Sequence, residues 1–108
     1  MNINPLVSIV TVTYNSEKFI KNCVSSVNKQ TYNNIEHVLV DGNSKDSTVE
    51  LFKKNAFRNP IIVSESDKGI YDAMNKGIKL SKGDFIGFLN SDDYFSSSDS
   101  IEIIVQNL

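Results

Sequence analysis

Four short apolar runs punctuate the chain, and an amphipathic stretch follows each of them. The runs, 6–14, 35–40, 61–63 and 84–89, are rich in β-branched and aromatic residues and read as strands. After the first run, Phe19, Ile20, Cys23, Val24 and Val27 share one helical face. Asn15 or Ser16 is placed to cap that helix, and Glu17 favours its first turn. Ser47 and Glu50 have the spacing of a capping box and open a second helix. Ile70, Ala73, Met74, Gly77 and Ile78 mark a third, with Gly83 placed to end it. Ile101, Ile104, Val105 and Leu108 predict a last helix on the core side. Strands alternating with helices in this way imply an α/β fold with a mainly parallel sheet and right-handed crossovers. No linker or repeat divides the chain, so residues 1–108 read as one domain.

In a parallel sheet the C-terminal strand ends lie along one edge, where open α/β sheets bind their ligands. Each run here ends in polar residues: Thr13-Tyr14-Asn15, Asp41, Ser64-Glu65-Ser66-Asp67, and Asn90-Ser91-Asp92-Asp93. Adjacent carboxylates on a stiff strand suit Mg²⁺ or Mn²⁺ shared with phosphate oxygens. On this reading Asp92 holds a metal that bridges two phosphates, Tyr14 stacks on a base, and Asp41 accepts a hydrogen bond from a base N–H or a ribose hydroxyl. No Gly-rich phosphate loop occurs, which leaves phosphate neutralisation to the metal. Each residue also has a plainer reading. Asp41, Asp92 and Asp93 serve turns, Tyr14 belongs to the core, and Asp67 and Lys68 form a loop pair. The convergence of four strand ends favours a site. His37 alternates with Ile35 and Leu39 and reads as a packed strand residue, and Cys23 as a small core residue.

The bulk properties set outer limits. The 108 residues suffice for one domain with a modest core. The net charge of -2, from 11 basic and 13 acidic residues, argues against nucleic acid as a partner. No stretch is long and apolar enough to span a membrane, and the first residues lack the pattern of a signal peptide. The single cysteine fits a reducing compartment, which makes a cytoplasmic location the expectation.

The ordered motifs resemble those of a known family. Val12-Thr13-Tyr14-Asn15, followed by Val40-Asp41-Gly42-Asn43-Ser44-Lys45-Asp46-Ser47-Thr48, looks like the start of the family 2 glycosyltransferases of GT-A fold. The stretch from Ser64 through Asp67-Lys68-Gly69-Ile70-Tyr71-Asp72-Ala73-Met74-Asn75 to Gly77 resembles a signature of a bacterial subgroup that builds surface polysaccharides. Phe88-Leu89-Asn90-Ser91-Asp92-Asp93 resembles that subgroup's form of the metal-binding D-x-D motif. The resemblance spans nearly the whole chain and implies a three-layer α/β/α, Rossmann-like nucleotide-diphospho-sugar transferase fold. It implies a UDP-sugar donor with Mn²⁺ or Mg²⁺, a saccharide or lipid-linked acceptor, and inverting transfer. By that analogy Thr13, Tyr14, Asn15, Asp41 and Asp67 line the nucleotide pocket, and Asn90 and Ser91 lie on the donor. Asp92 is the metal ligand, with Asp93 supporting it or meeting the sugar.

Three positions depart from the pattern. Asn90 stands at the first acid of D-x-D, Gly42 replaces a second aspartate after the second strand, and Met74 replaces an arginine that could reach the diphosphate. Lys68 and Lys76 are the nearby cations with the charge to stand in for it. The chain also stops about where the donor-binding half of such a domain ends. The reading is therefore a truncated donor half that binds the nucleotide-sugar and transfers little alone. The catalytic base is expected outside these residues, and no residue here is assigned to it. Two other classes stay open: a metal-dependent nucleotidyltransferase, and a non-catalytic module that forms a homodimer through apolar surface left uncovered. Peripheral association of a longer protein with the inner face of the membrane is a further expectation.

Overall fold

In the computed structural model, which describes residues 4–108, the β-branched run at the start of the chain forms β1 (Val7–Thr13) at the centre of a sheet. β2 (Ile35–Asp41) pairs with it in parallel along its whole length. β3 (Ile61–Ser64) adds to the far side of β2, and β4 (Phe85–Phe88) to the free side of β1. The sheet order is β3-β2-β1-β4, parallel throughout. The four helices are α1 (Ile20–Asn28), α2 (Thr48–Asn55), α3 (Ile70–Leu80) and α4 (Ser100–Gln106). The expected alternation of strand and helix is thus present, with strand ends displaced by a residue; α1, however, starts only at Ile20, with Phe19 at its N-cap position and no side-chain cap from Asn15 or Ser16.

Strand alternation sorts the core into two sides. Ile9, Ile35 and Leu39 face α1, α2 and α4, packing with Val24, Val27, Phe52 and Ile101. Val10, Val38 and Val40 face α3 through Ala73. The architecture is three-layered, helix over sheet over helix. α3 lies unusually close to the sheet, because a Cβ on Gly77 would come within 2.4 Å of Val10 Cγ1. Its expected apolar stripe is only half buried. Ala73 and Gly77 pack against the strands, whereas Ile70 and Ile78 are exposed.

Several local expectations are corrected. The Ser47 side chain makes no cap on α2; Asp46 accepts from the Thr48 N–H, and Glu17 accepts from the Ser47 N–H. Glu17 therefore serves α2 and not the first turn of α1. Gly83 does not end α3, which stops at Leu80. It is needed at a crossing, since a Cβ there would lie 2.4 Å from Ser8 Oγ. β4 is an edge strand, and its Phe85, Ile86 and Phe88 are exposed, unlike the buried strand that an apolar run suggests. With α4 it lines an apolar hollow of about 310 Å³; Ile104, expected on the core side, is exposed beside it, and so is Leu108, which lies beyond the end of α4 at Gln106.

His37 sits beneath the polar edge, fully buried between strand and helix. Its Nε2 lies 2.9 Å from Thr11 Oγ1, and its ring meets Phe52 edge-on at 5.0 Å. Its Nδ1 has no hydrogen-bond partner among the described residues. Burial pushes its pKa down to about 3, so the ring is neutral. Cys23 is a free, buried thiol beside Thr11, and burial pushes its pKa up to about 11. Both residues pack as the sequence reading expected.

Candidate functional site

The parallel register sets Thr13, Asp41 and Ser64 side by side at the strand ends. Asp41 lies between the other two and accepts from both: Thr13 Oγ1 at 2.7 Å and Ser64 Oγ at 2.8 Å. The turn after β2 folds back and adds the Ser44 N–H at 2.8 Å and its hydroxyl at 2.5 Å. Asn43 makes that fold possible with a φ of 66°, a left-handed conformation that Asn tolerates. Burial alone would raise the Asp41 carboxyl; the donors on Ser44, Thr13 and Ser64 outweigh it and hold the group below the usual carboxylate range. The carboxylate is fully buried, with two protein donors on each oxygen. Asp41 was expected at the ligand. In the structure its two oxygens take donors from Thr13, Ser44 and Ser64, so the carboxylate organises the edge.

The same turn is tied to the end of β1. Asn15, at φ 49°, takes its N–H to Ser44 Oγ and accepts from the Lys45 N–H. The Ser16 N–H reaches Thr48 Oγ1, which itself donates to Asp46. The Ser16 hydroxyl accepts from Ser91 at 3.0 Å, linking the ends of β1 and β4. These short polar side chains stiffen the rim against which a ligand would lie.

Above the rim runs a cleft made of two adjoining hollows, of about 390 and 370 Å³. Val12, Tyr14, Ser16, Ile70 and Ser91 border both. Thr13, Asp67 and Gly69 close one end; Asn15, Phe19, Asn90 and Asp92 close the other. Tyr14 and Ile70 are 61% and 56% exposed, so each offers an unshielded apolar surface to whatever enters. The loop carrying Asp67 is fixed to α3: Asp72 accepts the Lys68 N–H, and Lys76 reaches the Ser66 carbonyl. Lys76 also pairs with Glu65 at 3.4 Å and Asp72 at 3.7 Å. That amine is engaged in holding the loop.

Of the expected site residues, Thr13, Tyr14, Asn15, Asp67, Asn90, Ser91 and Asp92 border the cleft, whereas Asp41 and Asp93 do not. The Asp93 N–H closes a turn onto the Asn90 carbonyl at 3.0 Å. Among the described residues no three His, Cys, Asp or Glu side chains group as a metal cage. Asp92, exposed at the cleft end, suits a cation whose other ligands are phosphate oxygens and water, the usual way Mg²⁺ is held. The sequence reading missed Ser16, Phe19 and Ile70 as cleft residues. Phe19 and Ile70 fall on apolar helical faces by spacing, which hides an exposed position, and the Ser16–Ser91 contact joins residues 75 positions apart.

Comparison with known proteins places this architecture. The sequence profile of "Glycosyl transferase family 2" matches residues 8–108. The chain is 40% identical over 96 residues to EpsJ, an uncharacterized glycosyltransferase of Bacillus subtilis, covering 87% of this chain and 28% of that protein. It is 37% identical over 100 residues to a PGL/p-HBAD biosynthesis glycosyltransferase of Mycobacterium bovis, covering 90% of this chain and 39% of that one. The chain thus spans well under half the length of these relatives. TarS 1–349 of Staphylococcus aureus, solved in complex with UDP-GlcNAc, superposes with a TM-score of 0.82 at 29% identity, over 94% of this chain and 30% of that one. The Pyrobaculum calidifontis mannosyltransferase PcManGT, in complex with GDP-Man and Mn²⁺, shares the fold with a TM-score of 0.82 at 22% identity, over 91% of this chain and 30% of that one. The fold is that of the GT-A glycosyltransferases. The chain belongs to glycosyl transferase family 2.

Proposed function

We propose that residues 1–108 are the donor-binding half of a glycosyltransferase domain that takes a nucleotide-diphospho-sugar, a UDP-sugar first among them. The observation that carries this reading is the continuous cleft along the strand ends, with Asp67 at one end and Asp92 at the other. A nucleoside fits between Tyr14 and Ile70, with its diphosphate toward Asn90, Ser91 and Asp92. Mn²⁺ or Mg²⁺, held by Asp92 with Asp93 beside it, would neutralise the diphosphate. Nucleotide-sugar complexes of TarS and PcManGT support a donor of this class. The names of the mycobacterial relatives support a glycan or glycolipid acceptor of the cell surface. Inverting transfer requires a base that deprotonates the acceptor hydroxyl, and no residue of this chain is assigned to it.

Calorimetric titration of UDP with Mn²⁺, then with EDTA, tests the reading. The expected result is binding that needs the metal and falls at least tenfold in Asp92→Ala. Absence of binding by a folded sample, or binding indifferent to both metal and Asp92, contradicts it.

A further inference from the structure

Two carboxylates stand near the base end of the cleft, and only one has acceptor capacity to spare. An ionised carboxylate offers about four lone-pair sites. Asp41 has four protein donors on its two oxygens and is fully buried. Asp67 borders the cleft, and its Oδ1 accepts the Gly69 N–H at 3.1 Å. No hydrogen bond engages Oδ2 among the described residues.

Gly42 is the reason Oδ2 can stand where it does. A Cβ at position 42 would lie 2.9 Å from Asp67 Oδ2 and 3.6 Å from the Thr13 carbonyl. The side chain that this glycine lacks would occupy the ground that the Asp67 carboxylate takes. Gly42 is itself fixed there, its N–H donating to the Thr13 carbonyl at 2.9 Å. Position 42 on the β2 turn and position 67 on the β3 loop thus compete for one space beside Thr13.

Resting on the nucleotide-binding reading above, we infer that Asp67 is the residue that selects the base. Its free oxygen accepts an imino N–H, as carried by uracil, thymine and guanine, while Asp41 positions Thr13, Ser44 and Ser64 without touching the ligand. A carboxylate has no donor for the ring nitrogen of cytosine, which is an acceptor, so that base meets two facing acceptors in place of a bond.

Titration of UDP, GDP, CDP and ADP with Mn²⁺ into the wild-type chain, Asp67→Asn and the exchange pair Gly42→Asp with Asp67→Gly tests this. The wild type prefers UDP or GDP over CDP by at least tenfold, and the stronger of the two tells uracil from guanine. Asp67→Asn, whose amide can donate as well as accept, brings the ratio to CDP close to one while binding remains metal-dependent. The exchange pair restores the ratio by delivering a carboxylate to the same space from β2. An unchanged ratio in Asp67→Asn overturns the inference and leaves the nucleotide site intact. Absence of metal-dependent binding of every nucleotide by the wild type defeats the functional reading itself, and this inference with it.

Discussion

His37 shows how much a single buried side chain sets the conditions under which this edge holds together. Its ring is closed in by Thr11 and Phe52, and Nδ1 has no hydrogen-bond partner among the described residues. Protonation in place would strand a charge, which is why burial lowers the pKa to about 3 from an ordinary 6.5. The folded state then binds fewer protons than the unfolded chain between those two values. The stability His37 allows is fully present above its unfolded pKa and is lost as pH falls below about 6.5 toward 3. From pH 7 to pH 5 the loss should be about 2 kcal/mol. Urea unfolding at the two pH values checks it, and His37→Gln should flatten the difference; an equal slope in the variant would show that other groups set the acid response. Asp41 acts lower on the scale. Its depressed carboxyl supports the fold above the ordinary carboxylate range and is lost only in stronger acid.

At the scale of elements, α3 links the core to the cleft. Gly77 lets it rest on Val10 and Val40, and its first turn carries Ile70 and the anchor of the Asp67 loop, Asp72. Gly77→Ala gains about 1 kcal/mol of helix propensity, but the added methyl meets Val10 Cγ1 at 2.4 Å. Overpacking of that kind costs about 1–3 kcal/mol, so a net loss of stability is expected. In a Val10→Ala background the penalty should shrink by more than about 0.5 kcal/mol, as contacting residues couple. A double-mutant cycle measured by chemical unfolding gives that number, and strict additivity would place the strain elsewhere. The elements themselves were legible in the sequence because β-branched runs and 3.6-residue spacing are local signals. Three things were not local. The placement of β4 at an edge depends on which strands pair. Gly83 answers to Ser8 across the sheet. The cap of α2 comes partly from Glu17, 30 positions away from Ser47.

At the scale of the molecule, the order β3-β2-β1-β4 brings four polar strand ends to one rim, and this convergence was foreseeable once the sheet was read as parallel. What the sequence could not show was depth. Asp41 and Asp67 look alike as acidic residues after a strand, yet one is sealed under the rim by four donors and the other faces the cleft. Lys76 likewise reads as a free cation in sequence and is tied to Glu65 and Asp72 in the fold. On the proposed function the cleft is one continuous site, with a base end and a metal end, and its whole length can be read at once. The measurement is an amide NMR titration with UDP, run first with Mg²⁺ and then with paramagnetic Mn²⁺. The expected result is shift changes at Thr13, Tyr14, Asp67 and Ile70 together, and Mn²⁺ broadening that centres on Asn90–Asp92 only when UDP is present. Broadening centred elsewhere, or shifts confined to another face such as the β4–α4 hollow, would contradict it.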